Sequence, residues 1–398
     1  MKVPSTNNIE SLHRLLRGVA KVVSEEELAK KLALGRPLRI KLGVDPTAPD
    51  IHLGHTVVLS KLRLFQDLGH TVVFIIGDFT ASIGDPSGRD STRPPLTEAD
   101  IAKNIRTYEE QVFKVLDRSK TEVRRNGEWL YGLFDKKNDF FLPRTLMRTH
   151  TVQQLMERDD FTERRKSGQP ITLLELFYPL FQGYDSVAVK ADVELGGQDQ
   201  LFNLLMGRQM QREAGQESQV VMMLPLLEGL DGVRKMSKSY GNHVGVQDPP
   251  DEMFGKLMSV PDELMWKYFE LLTDEDVAKM KALHPKEAKQ RLAGLITSRF
   301  HGVPAAGAAL EHFERIFSRK ENPDEMESFQ LAVREMDAAE LIVAAHLAAS
   351  KNEARRLLEQ GGVQLEGRRV EVGEKLSVSE PAVLKVGKRK FKRLLPPD

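Results

Sequence analysis

Leu38-Arg39-Ile40-Lys41-Leu42-Gly43-Val44, then Asp45-Pro46-Thr47, then His52-Leu53-Gly54-His55: this run decides the fold. Residues 38–44 alternate apolar and polar side chains, the period of a strand. Asp45-Pro46-Thr47 breaks it. A helix follows the HxGH turn, with Val58, Leu62, Phe65 and Leu68 on one stripe and Gly69 as its stop. Thr71 to Ile76 is apolar and β-branched, the composition of a strand buried on both faces. A strand–helix–strand unit of this length predicts a parallel sheet with a right-handed crossover.

Working outward, the pattern recurs. Ala191 to Leu195 reads as a strand, Gly196-Gly197 as a turn and Asp199 to Arg212 as a helix. Gln219 to Leu224 reads as another strand and leads into Lys235-Met236-Ser237-Lys238-Ser239. Gly229 and Gly232 precede that KMSKS stretch and Gly241 follows it. Two such halves make an α/β, doubly wound parallel-sheet (Rossmann-like) domain over 1–246. Its ligands lie beyond the carboxyl ends of the strands. The segment near 97–165 interrupts the halves. It is helix-like and charged, and holds Trp129, Phe140 and Phe141. An α-helical domain is expected over 247–325, including Asp262 to Leu272 and Glu287 to Phe300, with a break at Asn322-Pro323-Asp324. A small α+β module is expected over 336–398. It starts with a helix from Ala338 to Ala349 and a capping box at Ser350-Lys351-Asn352-Glu353. The next helix carries Arg355 and Arg356, turns Leu357 and Leu358 inward and stops at Gly361-Gly362. Strands at Val363–Leu365 and Val370–Val372 follow.

The chain has 398 residues, 40% hydrophobic and 29% charged, which suits two or three globular domains. It has no cysteine, which excludes disulfides, cysteine-ligated zinc and thiol catalysis. No signal peptide precedes the first amphipathic stretch and no apolar run approaches the ~20 residues of a membrane helix, so a cytoplasmic protein without membrane contact is expected. The formal net charge is zero, but residues 338–398 hold 12 Lys/Arg against 8 Asp/Glu, a balance of +4. Six of those basic residues lie between Lys385 and Arg393, among them Lys388, Arg389 and Lys390. This bias suits a polyanionic partner.

Both signature motifs suit chemistry at a triphosphate. An HxGH turn offers two imidazoles beside a residue without a side chain. A glycine-bounded loop with two lysines offers positive charge to departing pyrophosphate. HxGH alone occurs in nucleotidyltransferases of other kinds. The two motifs, in this order and separation, resemble the class I aminoacyl-tRNA synthetases, and the resemblance covers nearly the whole chain. Within that class the chain looks like the bacterial tyrosyl enzymes. The decisive stretch is Ile171 to Tyr184. Thr172-Leu173-Leu174-Glu175 is a capping box, and Tyr178, Gln182 and Asp185 then share one helix face while Leu176, Leu180 and Phe181 are left to pack.

The resemblance implies the site. His52, His55 and Thr47 serve the phosphates from one side, and Lys235 and Lys238 close from the other. Gly54 and Gly196 let ATP approach the backbone, and Asp199 binds its ribose. Tyr178, Gln182 and Asp85, the first residue of Asp85-Pro86-Ser87-Gly88-Arg89, meet the ammonium of tyrosine. Asp185 accepts from its phenol and Gln200 donates to its carboxylate. The tail resembles the alpha-L RNA-binding motif, with Arg355, Arg356, Lys388, Arg389 and Lys390 toward tRNA. The implied partners are L-tyrosine, ATP, tRNA(Tyr) and a second copy of the chain, the 97–165 insertion helping to form the dimer interface. Magnesium would arrive on the ATP phosphates, with no protein-bound metal or organic cofactor. Two alternatives stay open: a tryptophanyl enzyme, against which Gln182 and the tail module speak, and a non-catalytic RNA-binding relative. One departure stands out. Many bacterial tyrosyl enzymes have tyrosine where this chain has Lys41, and some have a ribose-binding threonine where it has Val58. The chain therefore resembles the other bacterial branch, and neither residue is given a role.

Overall fold

The computed structural model describes residues 6–46, 50–85, 97–135, 137, 146–318, 326–387 and 390–397. Thr47, Phe140, Phe141, Lys388, Arg389, the Pro86–Arg89 stretch and the Asn322-Pro323-Asp324 break lie outside them. The chain forms two compact units, Met1–Gly302 and Val303–Asp398.

Six strands organise the first unit: β1 (Lys21–Val23), β2 (Arg39–Val44), β3 (Thr71–Ile76), β4 (Thr121–Arg125), β5 (Val193–Gly197) and β6 (Val220–Leu224). Their order in space is β1-β6-β5-β2-β3-β4. From β2 to β6 every pairing is parallel. The chain runs outward from β2 through β3 to β4, then returns to the far side of β2 for β5 and β6. The connections therefore reverse between β2 and β5, and a crevice opens at their carboxyl ends. The expected strand–helix–strand unit is there, with the Leu53–Asp67 helix between β2 and β3.

Alternation drives the packing. Val72, Phe74 and Ile76 of β3 bury on one sheet face with Leu62 and Phe65 of that helix, each at most 1% exposed. Val73 and Ile75 bury on the other face with Val189 and Ala191. Each side chain buried this fully contributes roughly 1.5–3 kcal/mol.

Several details differ from the sequence expectation. The sheet is not wholly parallel, because β1 pairs antiparallel with β6 at one edge. The 97–165 segment is not purely helical: β4 lies within it and pairs with β3. Thr121-Glu122-Val123-Arg124-Arg125 hides its strand character because an edge strand carries charge along its open side. Gly196 and Gly197 are the last residues of β5 rather than a separate turn, and a short 3₁₀ turn at Gln198–Gln200 precedes the Leu201–Glu213 helix. In the tail the first helix stops at Ala344, because His346 takes φ +58° and returns Leu347 to the core.

The helices Pro250–Met258, Asp262–Leu272 and Pro285–His301 belong to the first unit. In the second, β7 (Ser328–Gln330), β9 (Val363–Leu365), β10 (Arg368–Arg369), β12 (Ala382–Val386) and β13 (Lys390–Leu395) form one sheet. A small second sheet pairs β8 (Glu335–Asp337) with β11 (Lys375–Ser377). Residues 370–372 follow β10 instead of forming the expected strand. Ser350 caps the Lys351–Glu359 helix, which buries Ala354 and Leu358 and exposes Arg355 and Arg356. Among the described residues no helix is long and apolar enough to cross a membrane.

Candidate active site

A cleft of about 820 Å³ occupies the crevice at the carboxyl ends of β2 and β5. Asp45, His55, Asp85, Tyr178, Gln182, Asp185, Gly196, Asp199, Gln200 and Lys235 all line it. A separate cleft of about 550 Å³, beside Arg14, Lys61 and Glu270, contains none of them.

The two signature motifs touch. His52 precedes the first turn of the Leu53–Asp67 helix, and its backbone N–H donates to Nδ1 of His55 at 3.2 Å. The two rings lie 3.9 Å apart. A Cβ on Gly54 would stand 3.0 Å from the His52 ring and 3.6 Å from Cβ of Met236. The glycine is thus where the lysine loop rests on the HxGH turn. Asn242 closes that loop: its Oδ1 accepts from the Ser237 N–H at 2.8 Å and its Nδ2 donates to Asp231 at 3.0 Å. Gly232 and Gly241 take φ of +73° and +65°, conformations that favour glycine. Lys235 faces the cleft, whereas Lys238 forms an ion pair with Asp50, just ahead of the HxGH turn.

Burial lowers the His52 pKa to about 2, and the cost of sharing the site with the charge of Lys238, and with His55 and His243 were they protonated, adds to it. Burial also lowers His55 to about 4. Both imidazoles are neutral near pH 7. They can donate hydrogen bonds, and the positive charge at this site belongs to the lysines.

The Leu173–Val189 helix starts at the expected capping box: Thr172 Oγ1 accepts from the Glu175 N–H and the Glu175 carboxylate accepts from the Thr172 N–H. Leu176, Leu180 and Phe181 pack away in the core. The other face points into the cleft. Tyr178 OH donates to Oδ2 of Asp45 at 2.8 Å. Gln182 Oε1 accepts from Asn203 Nδ2 at 2.8 Å. Asp185 is 3% exposed and accepts from Trp129 Nε1 at 2.8 Å and, at a longer 3.4 Å, from Asn126 Nδ2. Burial raises the Asp185 pKa to about 7, against the lowering effects of Lys41, Trp129 and Asn126. Asp45 also rises to about 7 through burial. Gln200 Nε2 donates to Asp85 at 2.9 Å, and Asp199 stands in the 3₁₀ turn that follows β5.

Residues 33–318 match the family model for "tRNA synthetases class I (W and Y)" and residues 339–380 match the S4 domain. The tyrosine–tRNA ligase of Thermotoga maritima is 52% identical over 97% of this chain and 97% of its own length. That of Oleidesulfovibrio alaskensis is 50% identical over 97% of this chain and 98% of its own length. The chain belongs to the tyrosine–tRNA ligases. The tryptophanyl alternative falls with that observation. The fold agrees: a truncated mitochondrial tyrosyl-tRNA synthetase of Aspergillus nidulans superposes with a TM-score of 0.65 at 20% identity, covering 78% of this chain and 94% of that one.

Several groups in the cleft of this ligase escape a reading of the sequence. Asn126 Nδ2 also donates to Thr80 Oγ1 at 3.0 Å, and Thr80 Oγ1 donates to Asp45 at 2.7 Å. One chain of hydrogen bonds therefore runs from Trp129 and Asp185 to Asp45 and Tyr178. A Cβ on Gly77 would stand 2.2 Å from both Asp45 Oδ1 and Thr80 Oγ1, so this network requires glycine there. Asp45 looks like a strand breaker in the sequence, and Trp129 like part of an insertion. The available signal was position, and only in part: Asp45 directly follows β2, whereas Trp129 lies in the Gly127–Leu130 helical turn after β4. Trp129→Phe removes one donor to Asp185. The KM for tyrosine should rise about tenfold, the worth of a hydrogen bond to a charged group, with the KM for ATP unchanged. An unchanged tyrosine KM in pyrophosphate exchange would deny Trp129 this role.

Proposed function

We propose that this tyrosine–tRNA ligase makes tyrosyl-adenylate in the cleft between β2 and β5 and then passes the tyrosyl group to tRNA held by its basic tail. The observation that carries the reading is the buried carboxylate of Asp185, lining the same cleft as Lys235.

A carboxylate oxygen of tyrosine attacks the α-phosphorus of ATP, and the bond to the bridging oxygen of pyrophosphate breaks. Asp185 accepts from the phenol hydroxyl. Tyr178, already donating to Asp45, has lone pairs left for the ammonium; Gln182 and Asp85 are its other acceptors. Gln200 donates to the carboxylate. Asp199 takes the ribose hydroxyls, Gly196 lines the cleft where the nucleotide lies, and Gly54 gives the lysine loop its seat on the HxGH turn. His52 and His55 donate as neutral imidazoles to oxygens of the α-phosphate, helped by the hydroxyl of Thr47. Lys235 and Lys238 meet the charge that builds on pyrophosphate, Lys238 after exchanging its Asp50 partner. Fixed donors and charges of this kind act mainly on the transition state. Magnesium arrives on the ATP phosphates; among the described residues no group of three or more His, Asp or Glu is arranged to hold a metal. In the second step a ribose hydroxyl at the tRNA 3′ end attacks the tyrosyl carbonyl and AMP leaves.

The enzyme works as a cytoplasmic homodimer in this reading. Tyr131, Phe134, Val152 and Leu173 are 54–73% exposed, and large apolar side chains left in water suit an interface. The helices Pro250–Met258, Asp262–Leu272 and Pro285–His301 are given to the anticodon region of the tRNA. The 336–398 module grips RNA phosphates with Arg355, Arg356, Lys388, Arg389 and Lys390.

Aminoacylation tests this directly. With ATP and bacterial tRNA the full chain should attach tyrosine and leave tryptophan free; tryptophan attachment, or none with either, refutes the reading. A chain ending at Ser318 should keep tyrosine-dependent pyrophosphate exchange near the parent rate and lose most tRNA charging. The tRNA affinity of the full chain should fall steeply with salt, because each Lys or Arg on a phosphate releases a counterion. Equal charging by both chains across a salt titration would deny the tail its role.

A further inference from the structure

Lys41 is fully buried, in the middle of β2 on the sheet face that the Leu173–Val189 helix covers. The parallel register places it beside Glu194 of β5, and its Nζ lies 2.7 Å from Oε1 of that carboxylate. The two side chains are 0% and 1% exposed. The ammonium also donates to the Gln182 carbonyl at 3.0 Å and to Ser186 Oγ at 2.8 Å. Ser186 Oγ in turn donates to Oε2 of Glu194 at 3.0 Å, and Gln219 Nε2 donates to the same oxygen. A buried ion pair is a poor source of net stability, since hydrophobic residues of similar volume often do as well. Its position suggests another use. Gln182 and Ser186 bracket Asp185 on one helical turn, and Lys41 holds both.

Charge points the same way. The groups acting on Asp185 are Lys41 from β2, Glu194 from β5, Asp45 just after β2 and Tyr178 on its own helix. Asp45 and Glu194 are carboxylic acids, Tyr178 is a neutral phenol, and among these described groups the cation is Lys41. Trp129 and Asn126 add neutral donors. We propose that Lys41 is a positioning residue for amino-acid selection: it fixes the helical turn that carries Asp185 and supplies the positive charge that lets Asp185 stand as a carboxylate against the phenol of the substrate. A carboxylate left facing the ring of phenylalanine has lost its donor, which costs more than a neutral acid there would. Selectivity therefore depends on the charge that Lys41 maintains.

This rests on the reading of Asp185 as the phenol acceptor, and the test separates the two. The readout is the ratio of kcat/KM for tyrosine to that for phenylalanine in pyrophosphate exchange, from pH 5.5 to 9. The ratio cancels groups that serve both substrates alike, Asp45 and Tyr178 among them. Since Asp185 titrates at about 7, the ratio should rise with pH through that value in the parent and then level. In Lys41→Met the midpoint should move upward by about one unit or more, because an opposite charge nearby has been lost. At pH 7 the ratio should fall about tenfold, with recovery toward pH 9 and an unchanged KM for ATP. Lys41→Met with Glu194→Gln removes both charges and leaves no orphaned carboxylate, so it guards against misfolding of the single variant. Its midpoint should lie above the parent's and below that of Lys41→Met. Midpoints in both variants that coincide with the parent's, or a loss equal for both amino acids at every pH, would reduce Lys41 to a structural residue. A parent that does not favour tyrosine over phenylalanine at any pH would instead overturn the role given to Asp185, and the proposal with it.

Discussion

Asp185→Ala should collapse the preference for tyrosine over phenylalanine. The parent carboxylate is 3% exposed and held by Trp129 and Asn126. It rewards a phenol and penalises its absence, because a buried acceptor without a donor pays its full desolvation. Discrimination of about 10⁵ is established for tyrosyl enzymes and sets the scale, rather than being a consequence of these distances. The alanine variant loses both effects. Its kcat/KM for tyrosine should fall by roughly 10²–10³ and that for phenylalanine should hold or rise, from the loss of one charged hydrogen bond and the unpaired phenol left behind. If the ratio of the two survives the substitution, the phenol is read elsewhere.

Lys235→Ala and Lys238→Ala should each slow adenylate formation by about 10²–10³, the cost typical of removing one donor from a developing charge. Tyrosine affinity should barely change. Lys235 lines the cleft and Lys238 pairs with Asp50, and neither is among the residues assigned to the amino acid. Charge on pyrophosphate grows only as the bond breaks, so the loss should fall on the rate and not on ground-state binding. Stopped-flow adenylate formation separates the two. A variant as fast as the parent, or one whose defect is weaker tyrosine binding, would contradict the assignment. Neutral His52 and His55 sharpen the expectation: the lysines carry the positive charge of the site.

Much of this was readable from sequence because it is local. Thr172 and Glu175 announce the start of their helix, and the spacing of Tyr178, Gln182 and Asp185 puts them on one face whatever lies opposite. Strands β2 and β3 show in their periods, and the Leu53–Asp67 helix shows in its stripe. What stayed hidden depends on distant partners. Asp45 punctuates β2 in the sequence, yet its hydrogen bond comes from Tyr178, 133 positions away. Lys41 sits in an alternating strand whose polar face suggests solvent, but the Leu173–Val189 helix buries that face and Glu194 supplies the counter-charge. β4 was masked by the charges of a sheet edge, and with it the reason why Trp129 reaches the cleft. Alternation identifies a strand; it does not say whether its polar side meets water or a second layer.

This cleft should activate tyrosine at the expense of ATP, and ATP–pyrophosphate exchange with each of the twenty amino acids, on the full chain, measures that step. Exchange should be rapid with tyrosine, far weaker with phenylalanine, and not above background with tryptophan or the rest. Exchange driven best by any other amino acid, or by none of the twenty, would contradict the activation of tyrosine.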